Sequence, residues 1–348
     1  MRILISPRPV FKYSAGIFLR RIAIELTKRN YSYTAMPFAA FGRSIIPWDY
    51  AFMMGTPRFR AAILQSRKPF VVTMGKPELK EWCQAVAKPY LPEHDFQEQQ
   101  MAEVIRNSEK VVFISRYVQS IWREIFTRRQ LKFPREENVR IIFHGVDTSL
   151  FSPPRTRRND VFVLGSAGAL REGYRLQTLF SVSRLLEFDH RLLIVGSLDD
   201  DCRAELNRAL DDRLLARRIT YVPWVHSEEL PAYYRTMDCL FHPVDYEGCG
   251  IVVIEALSCG VPVIVPANGA PHEYMSADAG IAVPVKKYSY GPEFCQRMAD
   301  AVTRVRDRWD VFSEGARRCA LERLSITQVV DDYLSFLGLP FVVSDRRR

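Results

Sequence analysis

The chain has 348 residues, of which 47% are hydrophobic and 26% are charged. This composition excludes a disordered or collagen-like chain. At roughly 150 residues per domain, the length predicts two domains, each large enough for its own core. The sequence contains no run of about 18 apolar residues, which argues against a membrane-spanning helix. Its first residues lack the apolar stretch of a signal peptide, so we expect a cytoplasmic protein.

The charge is distributed unevenly. The net charge is +9. Residues 1–155 hold 25 basic and 13 acidic side chains, a balance of +12, whereas the remainder holds 24 basic and 27 acidic side chains, a balance of −3. The first half therefore favours an acidic partner, such as lipid headgroups, a phosphorylated acceptor or nucleic acid.

Strand-like runs alternate with helical stretches along the first half. Several runs are continuously apolar, which is typical of parallel strands covered on both faces. The predicted strands are 2–5, 49–54, 69–74, 110–115 and 139–144, and the predicted helices include 16–29 and 95–107. A polar, proline-containing linker follows at 152–160.

The same pattern restarts after the linker. The predicted strands are 161–165, 191–196, 219–222, 239–244, 261–266 and 280–285, and a helix is predicted at 174–188. Two doubly wound α/β units in series explain this alternation. We predict an N-terminal domain at 1–154 and a C-terminal domain at 155–325. Ligands of such sheets bind beyond the carboxyl ends of the strands, which implies a cleft between two facing units.

Residues 247–255 carry the clearest candidate site. They read EGCGIVVIE, in which two carboxylates flank a turn with two glycines at the start of an apolar helix. Backbone amides at such a helix start bind anions. Glu247 is then suited to accept hydrogen bonds from a sugar, and Glu255 to take a ribose diol. The alternative is a tight turn that enters a core helix, with Glu255 on an exposed face.

Residues 219–275 resemble the donor half of glycosyltransferase family 4, the retaining nucleotide-sugar enzymes of GT-B fold. The residues that carry this resemblance are Glu247 and Glu255, which match the family's E-x7-E motif, and the turn NGAPHE at 268–273. HGVD at 144–147, followed by FSP at 151–153, is similar to the family's entry to the interdomain linker. The resemblance also implies that the final helix and basic tail, 326–348, cross back to the first domain.

The resemblance implies roles for particular residues. Glu247 would contact the donor sugar, and Glu255 would hold the ribose. The diphosphate and base would be bound by Gly248, Cys249, Gly250, Ile251, Pro223, Trp224 and Val225. Gly16, next to Ala15, matches the family's glycine-rich loop after the first strand, although a plain helix start explains it almost as well.

The sequence departs from the family pattern in two places. Ala169 and Glu172 stand where the family has basic phosphate-binding residues, so Arg171 or Arg175 is expected to supply the cation, unless both are surface arginines. A family histidine of the first domain is replaced by Gly75. Its candidate substitutes on the acceptor side are Lys76 and His94, although His94 could instead cap a helix together with Asp95.

Two further segments have alternative interpretations. The run Asp199, Asp200 and Asp201 is similar to a metal-binding motif of another glycosyltransferase fold, but helix capping explains it better. We therefore expect no metal site and no cofactor. Residues 116–133 combine apolar and basic side chains, and either pack on a sheet or rest on an anionic membrane.

The resemblance implies a retaining, metal-independent glycosyltransferase of polysaccharide or glycolipid biosynthesis. It would move a sugar from a UDP- or GDP-sugar to an anionic or membrane-associated acceptor, with peripheral contact at the inner membrane face. One alternative is a catalytically silent sugar-nucleotide-binding partner subunit. Another is a transferase that glycosylates modified DNA bases, although nucleic acid is the less favoured partner.

Overall fold

The chain forms two α/β units, and the described residues of each contain a six-stranded parallel sheet. The computed structural model describes residues 2–6, 14–35, 50–54, 70–74, 92–154, 160–171, 175–244, 247–285 and 290–339. The N-terminal unit comprises Met1–Gly145 together with Ile326–Arg348. The C-terminal unit comprises Val146–Ser325.

The sheet of the N-terminal unit has the strand order β2-β1-β3-β4-β5-β6. Its strands are β1 (Arg2–Ser6), β2 (Ser32–Ala35), β3 (Tyr50–Met54), β4 (Phe70–Met74), β5 (Lys110–Phe113) and β6 (Val139–Ile141). Its helices are α1 (Ser14–Lys28), α2 (Pro92–Asn107), α3 (Arg116–Arg128) and, from the end of the chain, α12 (Ile326–Leu337), with a 3-10 turn at Glu136–Asn138. The direction of winding reverses between β1 and β3, which is where ligands of such sheets bind.

The sheet of the C-terminal unit has the order β12-β11-β10-β7-β8-β9, which is the strand order of a Rossmann fold. Its strands are β7 (Phe162–Ala167), β8 (His190–Val195), β9 (Ile219–Val222), β10 (Cys239–Phe241), β11 (Val263–Pro266) and β12 (Gly280–Val283). Its helices are α4 (Leu176–Leu185), α5 (Asp200–Leu210), α6 (Arg213–Arg218), α7 (Leu230–Tyr234), α8 (Ile251–Ser258), α9 (Pro271–Tyr274), α10 (Pro292–Asp307) and α11 (Trp309–Arg323). Winding reverses here between β7 and β10.

The strands predicted from continuous apolar runs all occur, with ends displaced by a few residues. The sequence reading missed β2, which has only four residues, SYTA, and no apolar run. It lies next to β1 at one edge of its sheet. By contrast, the predicted strand β11 reads VIVP, and all four of its residues are buried in the C-terminal unit.

Helix α12 is part of the N-terminal core. Its apolar residues, including Val329 and Tyr333, share one buried cluster with Phe18 and Ile22 of α1. Arg29, just after α1, pairs with Asp331 of this helix. Helix α12 therefore contributes to the core of the unit that also contains α1.

Helix α3 resolves the two interpretations of residues 116–133. The apolar residues of the helix, Val118, Ile121, Trp122, Ile125 and Phe126, are all buried. Arg128 and Arg129 both donate to the buried carboxylate of Glu98 on α2, at 2.7 Å each. The structure favours packing on the sheet, because the stripe that a membrane-binding helix would insert is already covered.

Arg317 of α11 holds the segment that enters the C-terminal unit. Its guanidinium donates to the carbonyl oxygens of Phe151 at 3.0 Å, of Ser258 at 2.6 Å and of Thr148 at 3.0 Å. Ser258 also donates its hydroxyl to the Phe151 carbonyl, at 2.6 Å. Burial lowers the pKa of Arg317, although the guanidinium remains a cation. Its charge therefore strengthens three contacts to neutral carbonyls.

A second arginine extends this anchoring toward the linker. Arg235 donates to the carbonyl oxygens of Ser152, at 2.8 Å, and Leu150, at 3.0 Å. The chain changes unit between Gly145 and Val146, before the boundary that we predicted at 154. The prolines at 153 and 154 indicated where regular elements stop, but they carried no information about which unit binds the preceding backbone.

We predict that Arg317→Met lowers the free energy of unfolding by about 1–3 kcal/mol, because the carbonyls of Ser258 and Thr148 lose the guanidinium donor. The Phe151 carbonyl keeps the Ser258 hydroxyl as a donor. The matched control is Arg318→Met. Arg318 is 52% exposed and pairs with Asp278 at the surface, so its loss should cost less than about 1 kcal/mol. Urea denaturation of both variants measures the difference. Equal losses would show that the arginine anchor is not needed.

His190 provides a prediction about acid stability. Its Nδ1 donates to the Phe188 carbonyl at 2.8 Å, so the unprotonated Nε2 accepts from the Ser183 hydroxyl at 2.7 Å. Burial lowers the pKa of His190, and the guanidinium of Arg218 adds to this, while Asp189 opposes it. The folded protein therefore prefers the neutral ring.

Because the unfolded chain binds the proton at a pKa of about 6.5, His190 stabilises the fold above that pH. This contribution is lost progressively as the pH falls toward the lowered folded-state pKa. We expect His190→Gln to weaken the dependence of the urea midpoint on pH between about 7.5 and 5, whereas the exposed control His226→Gln should leave it unchanged. An identical pH dependence in wild type and His190→Gln would refute the assignment.

Candidate functional site

The candidate site lies at the carboxyl edge of the C-terminal sheet, where the winding reverses. The loops after β7 and β10 begin at Gly168 and His242, next to each other in strand order. The loops after β7 and β8 approach so closely that a Cβ on Gly196, with φ of +130°, would lie 1.9 Å from the Gly168 carbonyl oxygen. The absence of a side chain at Gly196 therefore lets the loops after β7 and β8 approach each other at this edge of the sheet.

The loop after β10 is joined to the loop after β11. Glu247 forms a parallel bridge with Gly269, and its carbonyl oxygen accepts from the Ala270 N–H at 2.7 Å. Gly269 has φ of +124°, and a Cβ there would lie 2.7 Å from the Glu247 carbonyl oxygen and 2.8 Å from its nitrogen. Only glycine allows this approach, so Gly269 holds the backbone of Glu247 in position.

The Glu247 carboxylate is folded over its own loop. Oε1 accepts from the Cys249 N–H at 3.1 Å, and Oε2 lies 3.5 Å from Nε2 of the buried His242. The side chain remains 22% exposed. A carboxylate that is held on one side and open to solvent on the other is suited to accept hydrogen bonds from a ligand.

Gly250 gives helix α8 its start. It adopts the left-handed conformation, with φ of +73° and ψ of 58°, and the helix begins at Ile251. A side chain is disfavoured there both by the positive φ and by the surrounding atoms, the nearest of which is the Tyr274 hydroxyl. The structure thus places Gly248, Cys249, Gly250 and Ile251 in one continuous loop and helix start.

Glu255 is buried, with 1% exposure, and lies in the second turn of α8. The hydroxyl of buried Tyr234 donates to its Oε2 at 3.0 Å. The alternative of an exposed Glu255 is therefore wrong. Sequence reasoning did not single out Tyr234, because in α7 it resembles an ordinary core residue.

The two arginines after β7 differ in their surroundings. Arg171 is exposed. Arg175 precedes α4 in a left-handed conformation, and its guanidinium lies 3.5 Å from the centroid of the Tyr290 ring. The Tyr290 hydroxyl is 3.4 Å from Nδ2 of Asn268, next to the Gly269 bridge. Arg175 is thereby connected to the loop that supports Glu247, a link that no sequence motif indicated.

Residues 223–225 follow β9 at the same edge of the sheet. Pro223 and Trp224 are exposed, whereas Val225 is partly buried. The Trp224 side chain, 55% exposed, packs edge-on against the His226 ring with 4.6 Å between centroids. This segment presents an accessible aromatic surface.

Gly16, predicted to bind the donor, and the acceptor-side candidates Lys76 and His94 belong to the other unit. Gly16 lies in the first turn of α1, which follows β1. His94 lies within α2, which begins at Pro92, so neither His94 nor Asp95 is the residue that precedes the helix. Lys76 and Gly75 lie outside the described residues.

The aspartate run is explained by capping. The Asp199 carboxylate accepts from the Cys202 N–H at 3.0 Å at the start of α5. Over the described ranges, no cluster of three or more histidine, cysteine and acidic side chains is arranged to hold a metal ion. Among the same residues, no helix has the length and apolarity required to cross a membrane.

Part of the C-terminal unit matches a known family. Residues 150–293 match the model of the family described as Glycosyl transferases group 1. The match covers less than half of the chain, and it includes the loops after β7 to β11.

Two curated relatives show where similarity is found. The chain is 30% identical over 138 residues to D-inositol 3-phosphate glycosyltransferase of Pseudarthrobacter chlorophenolicus, which covers 36% of this chain and 33% of the relative. It is 28% identical over 198 residues to GDP-mannose-dependent alpha-(1-6)-phosphatidylinositol monomannoside mannosyltransferase of Mycolicibacterium smegmatis, covering 51% and 49%. The matches thus span a third to a half of these relatives' length.

Solved structures show the fold over nearly the whole chain. HepE of Anabaena in complex with UDP superimposes with a TM-score of 0.75 at 15% identity, over 97% of this chain and 100% of that one. Sucrose-phosphate synthase of Thermosynechococcus elongatus gives 0.77 at 15% identity, over 97% and 98%. At such identity the likeness shows the fold alone. It confirms the predicted GT-B fold, with its two Rossmann-like domains.

We predict that Gly269→Ala destabilises the protein by more than about 1 kcal/mol, because the new Cβ would collide with the Glu247 backbone at a positive φ. Gly291→Ala is the matched control, since that glycine has φ of −70° and open space around its Cβ position. We expect the control to change stability by less than about 1 kcal/mol. Chemical denaturation compares them, and a tolerated Gly269→Ala would contradict the tight bridge.

Proposed function

We propose that this chain is a glycosyltransferase that moves a sugar from a nucleoside diphosphate sugar to an acceptor. The observation that carries the proposal is the loop 247–251 at the switch point of a Rossmann-type sheet. It combines a half-open carboxylate, a left-handed glycine and a helix start within the segment that matches the glycosyltransferase family. Such a helix start suits the diphosphate of the donor.

Different groups of the site would bind the diphosphate and the sugar of the donor. Amide groups at the start of α8 would meet the phosphates, while Glu247 would accept hydrogen bonds from the sugar hydroxyls. Arg175 would supply positive charge for the leaving diphosphate, with Arg171 as the second candidate. The ring of Tyr290 covers the face of the Arg175 guanidinium, which makes its hydrogen bonds in its own plane.

The nucleoside would extend along the same edge of the sheet. Residues 223–225 would line the base pocket, and Trp224 offers an exposed ring for stacking. Glu255 would meet the ribose with a carboxylate that Tyr234 holds in place. UDP and GDP are the proposed nucleotides. The structure of HepE with UDP supports the first, and the name of the GDP-mannose-dependent relative supports the second.

The proposed reaction retains the anomeric configuration and uses neither a metal nor a cofactor. The acceptor hydroxyl would attack from the side of the leaving group, and a diphosphate oxygen would take its proton. This mechanism needs no protein nucleophile. It requires the developing charge on the diphosphate to be met by amides and guanidinium groups, each charge-assisted hydrogen bond contributing about 1.5–3 kcal/mol.

The proposed acceptor is anionic or membrane-associated, and the protein would act at the inner face of the membrane. Residues 1–155 carry 25 basic against 13 acidic side chains, which favours a negatively charged partner. The names of the two relatives mention inositol 3-phosphate and phosphatidylinositol monomannoside. Lys76 and His94 are the acceptor-side candidates, and Gly16 is a candidate for donor binding.

A catalytically silent sugar-nucleotide-binding subunit is the second candidate function. It is favoured by Gly75, where the resemblance implies a histidine, and by Ala169 and Glu172, where it implies basic residues. Such a protein would bind the donor but would not turn it over.

The test measures binding and turnover of UDP-, GDP- and ADP-sugars. We expect Glu247→Gln to lower turnover about 10- to 100-fold, because sugar hydroxyls lose a charged acceptor. The control is Glu293→Gln, an exposed glutamate paired with Arg297 on α10, which should leave turnover unchanged.

Three outcomes are distinguished. Turnover that depends on Glu247 supports the transferase. Binding without turnover, with anionic lipid and phosphorylated acceptors supplied, supports the silent subunit. If no nucleotide sugar binds, the proposed function is refuted.

A further inference from the structure

Tyr274 makes an unusual set of contacts beneath the loop 247–251. It is the last residue of α9 and is 1% exposed. Its hydroxyl donates to the Cys249 carbonyl oxygen at 2.8 Å and lies 3.4 Å from the Gly250 carbonyl oxygen. One side chain thus contacts two successive carbonyls of the loop that starts α8.

These contacts determine the direction of two amides. In a trans peptide group the carbonyl of one residue and the N–H of the next point in opposite directions. A donor that draws the carbonyls of Cys249 and Gly250 to one side therefore turns the N–H groups of Gly250 and Ile251 to the other side. The Gly250 carbonyl also accepts from the Val253 N–H at 2.9 Å, so it is fixed from within the helix as well.

The loop is shaped to accept this hydroxyl. A Cβ on Gly250 would lie 3.1 Å from the Tyr274 hydroxyl, 3.2 Å from Cγ of Pro271 and 3.3 Å from Cγ of Glu247. The glycine therefore permits the close approach as well as the left-handed turn. The two features depend on each other.

Tyr274 is itself held firmly. Its backbone carbonyl accepts from the Cys319 thiol at 3.1 Å and from the Arg323 guanidinium at 3.3 Å, both on α11. Burial raises the pKa of Tyr274 well above 10.0, and the charges of Cys249 and Glu247 act in the same direction. The hydroxyl consequently stays protonated and remains a donor at neutral pH.

We propose that Tyr274 is a positioning residue for the donor diphosphate, whose hydroxyl orients the Gly250 and Ile251 amides toward the phosphates. This inference rests on the proposed function. It adds Tyr274, a residue of α9 that lies outside the loop 247–251. The sequence did not single out Tyr274, because it resembles an apolar position in a short helix. The phosphates are contacted by the loop, and Tyr274 acts through it.

Tyr274→Phe removes the hydroxyl and keeps the ring. The matched control is Ser258→Ala at the other end of α8, which also removes a buried hydroxyl that donates to a backbone carbonyl, at 2.6 Å. Both variants should lose some stability, since each loses one buried hydrogen bond. A purely structural role for Tyr274 would make them behave alike in every other measurement.

Two measurements separate the variants. Hydrogen–deuterium exchange of the peptide covering 247–254, without any ligand, should be at least about fivefold faster in Tyr274→Phe than in wild type or Ser258→Ala, because the loop loses its anchor. Calorimetric titration with UDP and GDP should show roughly 5- to 30-fold weaker binding by Tyr274→Phe, with Ser258→Ala close to wild type.

The possible results test the proposed function and the positioning role of Tyr274 separately. If wild type binds neither UDP nor GDP, the proposed function fails, and the exchange data alone decide whether Tyr274 orders the loop. If wild type binds and Tyr274→Phe binds equally well, the positioning role is refuted while the proposed function stands. The positioning role is also refuted if hydrogen exchange is unchanged in Tyr274→Phe, or if it increases equally in Ser258→Ala.

Discussion

The contact between the backbone of Glu247 and Gly269 is the constraint on which the candidate site depends. In a parallel sheet, the loops that follow the strands all lie at one edge, but the sheet alone does not determine the conformation of each loop. Here a hydrogen bond of 2.7 Å from the Ala270 N–H and a bridge that only glycine permits join the loops after β10 and β11. The carboxylate of Glu247 and the start of α8 acquire their positions from this junction.

A second layer of buried polar contacts supports the same helix. Tyr274 acts on the loop before α8, Tyr234 on Glu255 within it, and Ser258 on the backbone at its end. Each is a hydroxyl that satisfies a buried acceptor, and an unmade hydrogen bond at such a place costs about 1–3 kcal/mol. Helix α8 is short, and most of its side chains are apolar and buried, so these few hydroxyls supply directional contacts that apolar packing alone does not provide.

Charge is used differently in the two units. Within the C-terminal unit, arginines serve structure as well as the candidate site: Arg317 and Arg235 bind backbone carbonyls, while Arg175 lies on Tyr290. In the N-terminal unit, Arg128 and Arg129 both pair with Glu98, and Arg129 also pairs with Asp95. The excess of basic residues in 1–155 therefore cannot be assigned to α3 alone. It favours an acidic partner for this half of the chain as a whole, without indicating a particular helix.

The sequence by itself determined the fold class and predicted where the candidate site lies. Continuous apolar strands alternating with amphipathic helices are typical of parallel sheets covered on both faces, as in doubly wound folds. The spacing of Glu247, Gly250 and Glu255 indicates a strand–loop–helix at the carboxyl edge of such a sheet. Tertiary structure decided what lies around these residues. Tyr274, Tyr234 and Tyr290 are far from the motif in sequence and resemble ordinary aromatic core residues, so only folding shows that their hydroxyls and rings contact the loop, Glu255 and Arg175. The same holds for the boundary at Gly145–Val146, because local composition shows where a helix or strand ends, whereas contacts between residues distant in sequence decide to which unit the backbone belongs.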